Sequence, residues 1–233
     1  MQSFSQYGQD AIVDEFLRQS TAGFFLDIGA HDGITFSNSR FFEKYREWDG
    51  ICVEANPEVY QRLKANRSCK TINVALAKQK GQVRFAKVSG YAEMLSGIVA
   101  DYDPRHSDRI EREVKQHGGK IDFIDVPTLS VNELLDEYNV RTVDFCSIDT
   151  EGGELAILQG IDFGRFHFRT IAVENNYRSR QIRRLLDAAG FALLRSAACD
   201  EIYANVRELP QRTGSARRRQ WFATKAKKLF GIS

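Results

Sequence analysis

Apolar and polar positions follow two different periods along residues 8–206 of the chain. Short, nearly continuous apolar runs predict buried strands at residues 23–28, 50–54, 71–76, 82–88, 121–126, 143–148 and 170–174. Between them, apolar residues at helical spacing predict helices at residues 9–18, 38–45, 57–66, 131–138, 154–158 and 180–189. Two last runs, at residues 191–196 and 201–205, predict an antiparallel pair. Strands that alternate with helices are typical of a mostly parallel sheet covered on both faces.

The pattern changes between residues 91 and 119, where the chain becomes polar and rich in charge. A charged helix around residues 107–116 is the element predicted there, and we interpret the stretch as an insertion. The chain has 233 residues, 42% of them hydrophobic, which is enough for one α/β domain and too little for two. We therefore expect one domain at residues 1–208, with the insertion inside it, and a separate tail at residues 209–233.

Charge separates the tail from the domain. The formal net charge is +2, but residues 209–233 hold seven basic residues and no acidic one, which leaves the rest of the chain at about −5. Apolar residues recur in the tail at helical spacing, at positions 222, 226, 229 and 230. A basic amphipathic helix can bind an anionic membrane surface or a polyanion. A frayed, solvated terminus is the commoner fate of such a segment.

The four cysteines, Cys52, Cys69, Cys146 and Cys199, include no C-x-x-C pair, and they predict neither a disulfide framework nor a zinc site. The first residues lack the basic and apolar regions of a signal peptide. No apolar run approaches the length of a membrane span. The predicted location is the reducing cytoplasm, with the tail as the part that could contact a membrane surface.

A glycine-bearing loop follows the first predicted strand. Its sequence from Asp27 to Gly33 has the spacing G-x-x-x-G and lacks the G-x-G-x-x-G of dinucleotide-binding loops. That spacing disfavours an NAD-type oxidoreductase and favours a cofactor without a pyrophosphate. Glu54 ends the next strand, where a carboxylate can accept hydrogen bonds from the hydroxyls of a ribose. A glycine turn beside a solvated acid is the structural alternative.

These residues and several further runs resemble the FkbM family of methyltransferases. The matching runs, in chain order, are SQYGQD (5–10), FLDIGAHDGITFSN (25–38), GICVEANP (50–57), NRSC (66–69), DFCSIDTEGGELAILQGIDF (144–163) and IAVENN (171–176). The resemblance implies a Rossmann-like class I methyltransferase fold and S-adenosylmethionine as methyl donor. It also implies O-methylation of a sugar or natural-product hydroxyl. It does not identify the acceptor.

The resemblance also implies roles for single residues. Around the methionine part of the cofactor it places Asp27, Gly29 and Gly33, with His31 and Asn38 near the carboxylate. Glu54 would hold the ribose, Ala75 would lie by the adenine, and Gln6 would belong to an N-terminal motif that closes over the cofactor. The insertion and the tail lie outside the matching runs.

Methylation of a hydroxyl requires a base or a metal ion that assists the loss of the hydroxyl proton. Asp149 ends one strand, and Glu174 and Asn175 end the next, an arrangement similar to the metal triad of catechol-type O-methyltransferases. We expect these three residues to hold one divalent cation, Mg²⁺, Ca²⁺ or Mn²⁺. In the alternative, Asp149 contacts the amino group of the cofactor, while Glu174 and Asn175 bond to loops.

Other acids and one histidine near these strand ends are candidates for catalysis. Glu151 could orient the acceptor, as Asp149 could, and Glu154 could simply favour a helix N-terminus. His31 suits a general base, although its place in the loop favours contact with the cofactor. Asp10 and Asp32 are expected to hold loops.

The leading function is therefore O-methylation of a hydroxyl on a sugar, glycan or glycoconjugate, since a charged insertion suits a polar acceptor. Methylation of a small polyketide or phenol is the alternative within the same class. The acidic domain and the lack of an aromatic, basic module disfavour RNA as substrate. A non-catalytic cofactor-binding module that acts through partner contacts stays open, and the sequence predicts no oligomeric state.

Overall fold

The computed structural model describes residues 3–209 of the chain. Seven helices form in this part: α1 (Gln9–Phe16), α2 (Arg40–Arg46), α3 (Pro57–Asn66), α4 (Pro104–His117), α5 (Val131–Glu137), α6 (Glu154–Gly160) and α7 (Arg180–Ala188). The strands are β1 (Phe24–Ile28), β2 (Asp49–Val53), β3 (Lys70–Ile72), β4 (Ala75–Leu76), β5 (Gly81–Val88), β6 (Gly97–Ile98), β7 (Ile121–Leu129), β8 (Thr142–Ile148), β9 (His167–Glu174), β10 (Phe191–Ala197) and β11 (Asp200–Asn205). Short 3₁₀ helices lie at Gly90–Leu95, Val99–Asp101 and Val206–Glu208.

The main sheet has seven strands in the order β10-β11-β9-β8-β1-β2-β3. The five strands β3, β2, β1, β8 and β9 run parallel. At one edge β11 pairs antiparallel with β9, and β10 pairs antiparallel with β11. The predicted α/β class, the mostly parallel seven-stranded sheet and the C-terminal antiparallel pair are confirmed. Strand order reverses between β1 and β8, and ligands bind such sheets at the strand ends beside this switch point.

Alternate residues of the central strands face two apolar layers. Leu26 and Ile28 of β1 belong to one buried cluster, which includes residues of α5, α6 and α7. Phe25 of the same strand belongs to the other, with residues of α1 and α2. This burial on both faces is why β1 is an apolar run without alternation, as parallel sheets require.

The predicted strand at residues 71–76 is in fact two strands in two sheets. β3 pairs with β2, whereas β4 pairs with β7 in a second sheet of order β4-β7-β5-β6. Asn73 separates them because its side-chain amide donates hydrogen bonds to the carbonyl oxygens of Glu54 and Ala55, at 2.8 and 3.1 Å. The break turns the chain away from the main sheet at the place where Ala75 comes to line a cavity.

The insertion is a packed part of the fold. Its helix α4 begins at Pro104, three residues before the predicted start, and Asp103 caps it by accepting the backbone N–H of Arg105 at 2.9 Å. Ile110 packs with apolar residues of β5 and of the 3₁₀ helix at Gly90–Leu95. The insertion therefore brings further secondary structure to the strand ends that carry the predicted site.

The predicted tail and its contact with a membrane or polyanion fall almost entirely outside residues 3–209. That contact therefore stays a prediction. Within residues 3–209, no helix has the length and apolar character needed to cross a membrane.

Candidate functional site

The loops after β1 and β8 approach each other closely at the switch point. Gly29 has a φ of +82°, and a Cβ at this position would lie 1.7 Å from the carbonyl oxygen of Asp149. Backbone hydrogen bonds fix this approach, from the N–H of Gly29 to Val53 and from the N–H of Asp149 to Ile28, each at 3.0 Å. Glycine is therefore required here both by conformation and by space.

A cavity of about 740 Å³ opens beside this approach, and we call it the Glu54 cavity. Glu54 is buried at the end of β2, and its two carboxylate oxygens accept the backbone N–H groups of His31 at 3.0 Å and Asn56 at 2.7 Å. Burial raises the pKa of Glu54, while these hydrogen bonds favour the charged form. Each oxygen keeps a second lone pair with which it can accept a ligand hydroxyl.

One wall of the Glu54 cavity is apolar. Ala75 and Leu76 lie there, as predicted for Ala75, together with Val59, Phe85 and Ile98. The wall is formed by α3 and by strands of the second sheet. A flat ligand ring in the cavity would therefore lie between this wall and the strand ends of the main sheet. An apolar slot beside a carboxylate is a suitable site for a nucleoside.

His31 faces this cavity and is held by a residue that the sequence did not indicate. Its Nε2 lies 3.0 Å from Oε1 of Glu93, in the 3₁₀ helix of the insertion, and Arg62 of α3 pairs with the same carboxylate. The other ring nitrogen, Nδ1, is buried without a hydrogen-bond partner in the described chain, 3.6 Å from Asp32. His31 thus links the insertion to the glycine-bearing loop after β1.

A second, polar cavity of about 500 Å³ adjoins the other side of Gly29, and we call it the Gln6 cavity. Asp27, Asn38 and Gln6, three predicted cofactor residues, all line it. Asn38 donates a hydrogen bond to the hydroxyl of Ser147 at 2.9 Å, and its own amide oxygen is buried without a partner among the described residues. A ligand with a donor group would satisfy that oxygen.

Gly33 lines neither cavity. A Cβ at Gly33 would lie 2.6 Å from Arg67 and 2.7 Å from Leu63, so the glycine is needed for packing of the loop on α3. Asp32 accepts two backbone N–H groups and one hydroxyl from residues 34 and 35, and Asp10 likewise holds residues 3–5. The prediction that Asp10 and Asp32 hold loops is confirmed.

Three carboxylates converge where β8 and β9 end. Oxygen atoms of Asp149, Glu151 and Glu174 lie within 4.8 Å of one another. Burial and the neighbouring negative charges raise the pKa of Glu174 to about 11 and that of Asp149 well above its ordinary value. The pKa of Glu151 rises to about 7, mainly through burial. Three such groups are all ionised only when a cation lies among them. Without a cation, at least one of the carboxyl groups keeps its proton.

Glu151 differs from its neighbours in having a free oxygen. Its Oε2 is buried, makes no hydrogen bond to the described residues and lies 3.5 Å from Nδ1 of His106. Nε2 of His106 lies 3.0 Å from the carbonyl oxygen of Leu95, to which it can donate a hydrogen bond. Glu151 lines the Glu54 cavity and also a third cavity, described below. It therefore lies at the junction of the two.

Asn175 does not join the three carboxylates. Its amide oxygen accepts the backbone N–H of Ser179 at 2.6 Å, and its amide nitrogen donates to the Ser179 carbonyl and to Glu201, each at 3.2 Å. These bonds close the turn that leads into α7. The predicted set of Asp149, Glu174 and Asn175 is thus replaced by Asp149, Glu151 and Glu174 as the residues that lie together.

Glu154 holds the loop between β8 and α6, and it was predicted to favour the start of that helix. Its Oε1 accepts the backbone N–H groups of Thr150 and Gly152 and the Thr150 hydroxyl, at 2.9 to 3.0 Å. The loop bears Glu151 at a positive φ of 59°, so these bonds stabilise an otherwise unfavourable backbone conformation. Glu154 consequently fixes the position of Glu151.

A third cavity, of about 1010 Å³, extends from Glu151 and Glu174 toward the insertion, and we call it the Tyr177 cavity. Its aromatic residues are Tyr102 from the insertion and Tyr177 from the loop before α7. The guanidinium of Arg105 lies 4.0 Å from the centre of the Tyr177 ring and is held by Asp103. Aromatic rings, amides and carboxylates together suit a polyhydroxylated ligand.

A second acidic group lies next to the first. Ligand atoms of Cys199, Asp200 and Glu174 also lie within 4.8 Å of one another, and Gln9 of α1 donates a hydrogen bond to Asp200. Glu174 was predicted as a metal ligand, but no sequence signal indicated Cys199 or Asp200 as part of the site, nor Glu93, His106 or Tyr102. Their positions depend on how the insertion and the antiparallel pair fold against the strand ends.

Comparison with protein families gives a match to the methyltransferase FkbM domain over residues 27–193. The matched range contains the Glu54 cavity, the three carboxylates and the whole insertion. No match was found among curated proteins.

Comparison with solved structures finds methyltransferases of low sequence identity. An FkbM methyltransferase from Methylobacillus flagellatus is 12% identical and has a TM-score of 0.47, over 79% of this chain and 44% of that one. A SAM-dependent methyltransferase from Aquifex aeolicus is 11% identical, with a TM-score of 0.40, over 85% of this chain and 89% of that one. The chain therefore spans less than half the length of the Methylobacillus protein.

Proposed function

We propose that this chain, which belongs to the FkbM methyltransferase family, is an S-adenosylmethionine-dependent methyltransferase that methylates a hydroxyl oxygen of a sugar, glycan or glycoconjugate. The observation that carries the proposal is the Tyr177 cavity, which is lined by aromatic, amide and carboxylate groups and meets the Glu54 cavity at Glu151. A polar cavity beside a carboxylate with a free oxygen suits an acceptor that must lose a proton.

The residues of the Glu54 cavity fit the adenosine part of the cofactor. Glu54 has a spare lone pair on each oxygen for the two ribose hydroxyls, and Ala75 lies in the apolar slot that would take the adenine. His31 donates its backbone N–H to Glu54 and so fixes the carboxylate. S-adenosylmethionine supplies a methyl group on a positively charged sulfur.

We assign the methionine part to the Gln6 cavity, across Gly29 from the adenosine. The unpartnered amide oxygen of Asn38 is suited to accept from the ammonium group, and Gln6 offers an amide that can reach the carboxylate. Asp27 supports this wall from behind, since it accepts the Ser39 hydroxyl and interacts with buried Arg67. Close approach of a ligand to the backbone is possible because residue 29 has no side chain.

We assign Glu151 to the acceptor hydroxyl. Its free oxygen can accept that hydrogen and take the proton as the acceptor oxygen bonds to the methyl carbon, while the sulfur–carbon bond of the donor breaks and leaves S-adenosylhomocysteine. Asp149 and Glu174 lie within 4.8 Å of Glu151, and a positively charged donor beside them would favour their ionised forms. His31 lines the Glu54 cavity and is turned toward Glu93, so we assign it to the cofactor and not to proton transfer.

A divalent cation is the other way to satisfy the same carboxylates. Asp149, Glu151 and Glu174 are oxygen ligands of the kind that Mg²⁺, Mn²⁺ and Ca²⁺ prefer, and their spacing fits one ion. Such an ion would act as a Lewis acid toward the acceptor hydroxyl. We retain this cation as part of the proposal, with Glu151 in place of the predicted Asn175.

The test is transfer from isotopically labelled S-adenosylmethionine to a panel of mono- and oligosaccharides, with phenols as the contrasting arm, read by mass spectrometry. Product from saccharides and none from phenols supports the proposal, whereas product from phenols alone contradicts it. Each reaction is repeated after EDTA treatment, with and without added Mg²⁺ or Mn²⁺. Activity that EDTA abolishes and metal restores supports the cation; unchanged activity removes it and leaves Glu151 as the base.

We also propose a cytoplasmic location, where the reducing environment would keep the four cysteines as thiols. Fractionation of the native cell, with detection of the full chain, tests this location and the peripheral membrane contact expected of the tail.

A further inference from the structure

A basic cleft lies at the N-terminus of α7, on the far side of the loop that carries Tyr177. It is open to solvent and is lined by three arginines, Arg178, Arg180 and Arg183, and we call it the Arg183 cleft. Within residues 3–209, none of these three side chains forms a hydrogen bond or an ion pair with another residue. Elsewhere in this part of the chain, Arg105, Arg141, Arg165 and Arg169 each pair with an acid.

The cleft has little negative charge of its own to balance these arginines. Glu201 is the one acid that lines it, and its Oε2 already accepts the Tyr203 hydroxyl at 2.6 Å and the Asn175 amide at 3.2 Å. Three guanidinium groups around one space therefore leave a net positive field. Guanidinium groups bind carboxylate and phosphate alike in a bidentate manner, but a phosphoryl group carries up to two negative charges and three acceptor oxygens, so it can pair with more than one of these arginines at once.

The start of α7 adds to the same field. Ser179 caps the nine-residue helix by accepting the backbone N–H of Gln181 at 3.2 Å, and Ser179 and Arg180 both line the cleft. Backbone N–H groups and the positive end of the helix dipole stabilise an anion at this position. The arginines and the helix terminus are separate features that both favour an anion.

The cleft adjoins the proposed acceptor site. Asn175 and Ser179, which are hydrogen-bonded to each other, line both the Arg183 cleft and the Tyr177 cavity, so a ligand that reaches past this turn would contact both spaces. The Tyr177 cavity is lined by four acids, Asp101, Glu151, Glu154 and Glu174, and its one arginine, Arg105, is already paired with Asp103. An acceptor would thus be oriented with its hydroxyl near the carboxyl groups and its anion at α7, where the arginines are not paired with acids.

We propose that the Arg183 cleft binds a phosphoryl group of the acceptor, and that the substrate is a phosphorylated or pyrophosphorylated hydroxyl compound. This inference rests on the proposed function, since the cleft matters for catalysis because it adjoins the acceptor cavity. The phosphoryl group can belong to a soluble molecule, such as a sugar nucleotide, or to a lipid headgroup.

The experiment measures binding of inorganic pyrophosphate to the full chain by isothermal titration at low ionic strength, with S-adenosylhomocysteine present. The variant R180Q/R183Q is compared with R184Q, which removes one charge from the same helix at a position that does not line the cleft. The expected result is binding that R180Q/R183Q weakens at least about tenfold and R184Q leaves within about twofold. No binding to the wild type, or equal loss in both variants, overturns the proposal.

Two further arms identify the source of the phosphoryl group. One measures uridine diphosphate, and the other measures sedimentation with phosphatidylcholine vesicles that contain phosphatidic acid. The tail is unchanged in both variants, so a loss of sedimentation specific to R180Q/R183Q assigns a lipid phosphate. A loss specific to uridine diphosphate assigns a soluble one. S-adenosylhomocysteine binding, measured on the same samples, tests the methyltransferase assignment separately and also shows that the variants are folded.

Discussion

Two glutamates, the buried Glu54 and the partly buried Glu151, show how differently the proposed ribose site and the proposed acceptor site are built. Both oxygens of Glu54 accept backbone N–H groups, so its carboxylate is held and satisfied before any ligand arrives. Glu151 has an oxygen that is buried without a hydrogen-bond partner in the described chain, among two other acids. Glu54 is therefore satisfied by the protein alone, whereas Glu151 needs a proton, a cation or a ligand.

The pKa values express the same contrast. Burial raises the pKa of Glu54, but its hydrogen bonds and the neighbouring His31 oppose that rise. For Glu174, burial and neighbouring carboxylates act in the same direction and bring the pKa to about 11. Carboxyl groups with strongly shifted pKa values cluster at functional sites, and the shift for Glu174 is much larger than that for Glu54.

The largest expected effect comes from placing a side chain at Gly29, between the Glu54 cavity and the Gln6 cavity. Gly29→Ala would place a Cβ 1.7 Å from the Asp149 carbonyl oxygen, so the loops after β1 and β8 would have to separate. We expect destabilisation of more than about 4 kcal/mol, measured by urea denaturation.

Gly81→Ala is the matched control, because its Cβ would meet only the Thr128 hydroxyl, at 3.7 Å. Its effect is expected to stay below about 1 kcal/mol. Similar losses in the two variants would show that the close approach at Gly29 is not required.

The next effect concerns the proposed acceptor site alone. Glu151→Gln keeps the shape of the side chain and removes its ability to take a proton. With a hydroxyl acceptor found in the panel, we expect kcat to fall about 10²- to 10⁴-fold while KM for S-adenosylmethionine changes little.

Glu137→Gln, at the end of α5 and away from all three cavities, is the matched control for this measurement. Retention of full kcat by Glu151→Gln would exclude Glu151 as base and as cation ligand alike.

The smallest effect is on stability as a function of pH. The pKa of Glu151 in the folded protein is raised from 4.5 to about 7, so stability contributed by the protonated form is lost as pH rises through that range. We expect the free energy of unfolding of the ligand-free protein to fall between pH 5 and 8; Glu151 contributes about 3 kcal/mol of that fall, and the raised pKa values of Asp149 and Glu174 add to it.

Glu151→Gln should make that fall smaller, and a bound divalent cation should reverse it, in thermal unfolding measured across the same pH range. A wild-type curve that is flat or rises from pH 5 to 8 would contradict the raised pKa.

The sequence indicated most of the proposed cofactor site. Residues 23–28 and 50–54 are apolar runs because β1 and β2 are buried on both faces, and such runs indicate a strand without knowledge of the fold. Glu54 could be proposed because it lies in one of the matching runs, whereas Ala75 lies outside them and was placed only by its position after β3. Pro57 begins α3 and Ser130 caps α5 with a capping box, as local sequence alone predicts.

The proposed acceptor site was predicted less well because it depends on long-range contacts. Asn175 follows Glu174 in sequence and was therefore chosen as a ligand, yet its amide closes the turn with Ser179. The predicted strand at residues 71–76 is broken because Asn73 bonds to the end of β2, which no local pattern encodes. His106 lies on a helix that is charged overall, so nothing in its sequence neighbourhood indicates that it is buried against Glu151.

The most direct test of the assignment of cofactor and acceptor to separate cavities is isothermal titration of S-adenosylhomocysteine into wild type, Glu54→Gln and Glu151→Gln. We predict that Glu54→Gln weakens binding at least about tenfold, because it removes charge-assisted hydrogen bonds to the ribose, and that Glu151→Gln stays within about threefold of wild type. Equal affinities for wild type and Glu54→Gln, or a larger loss in Glu151→Gln, would contradict the assignment of cofactor and acceptor to their two cavities.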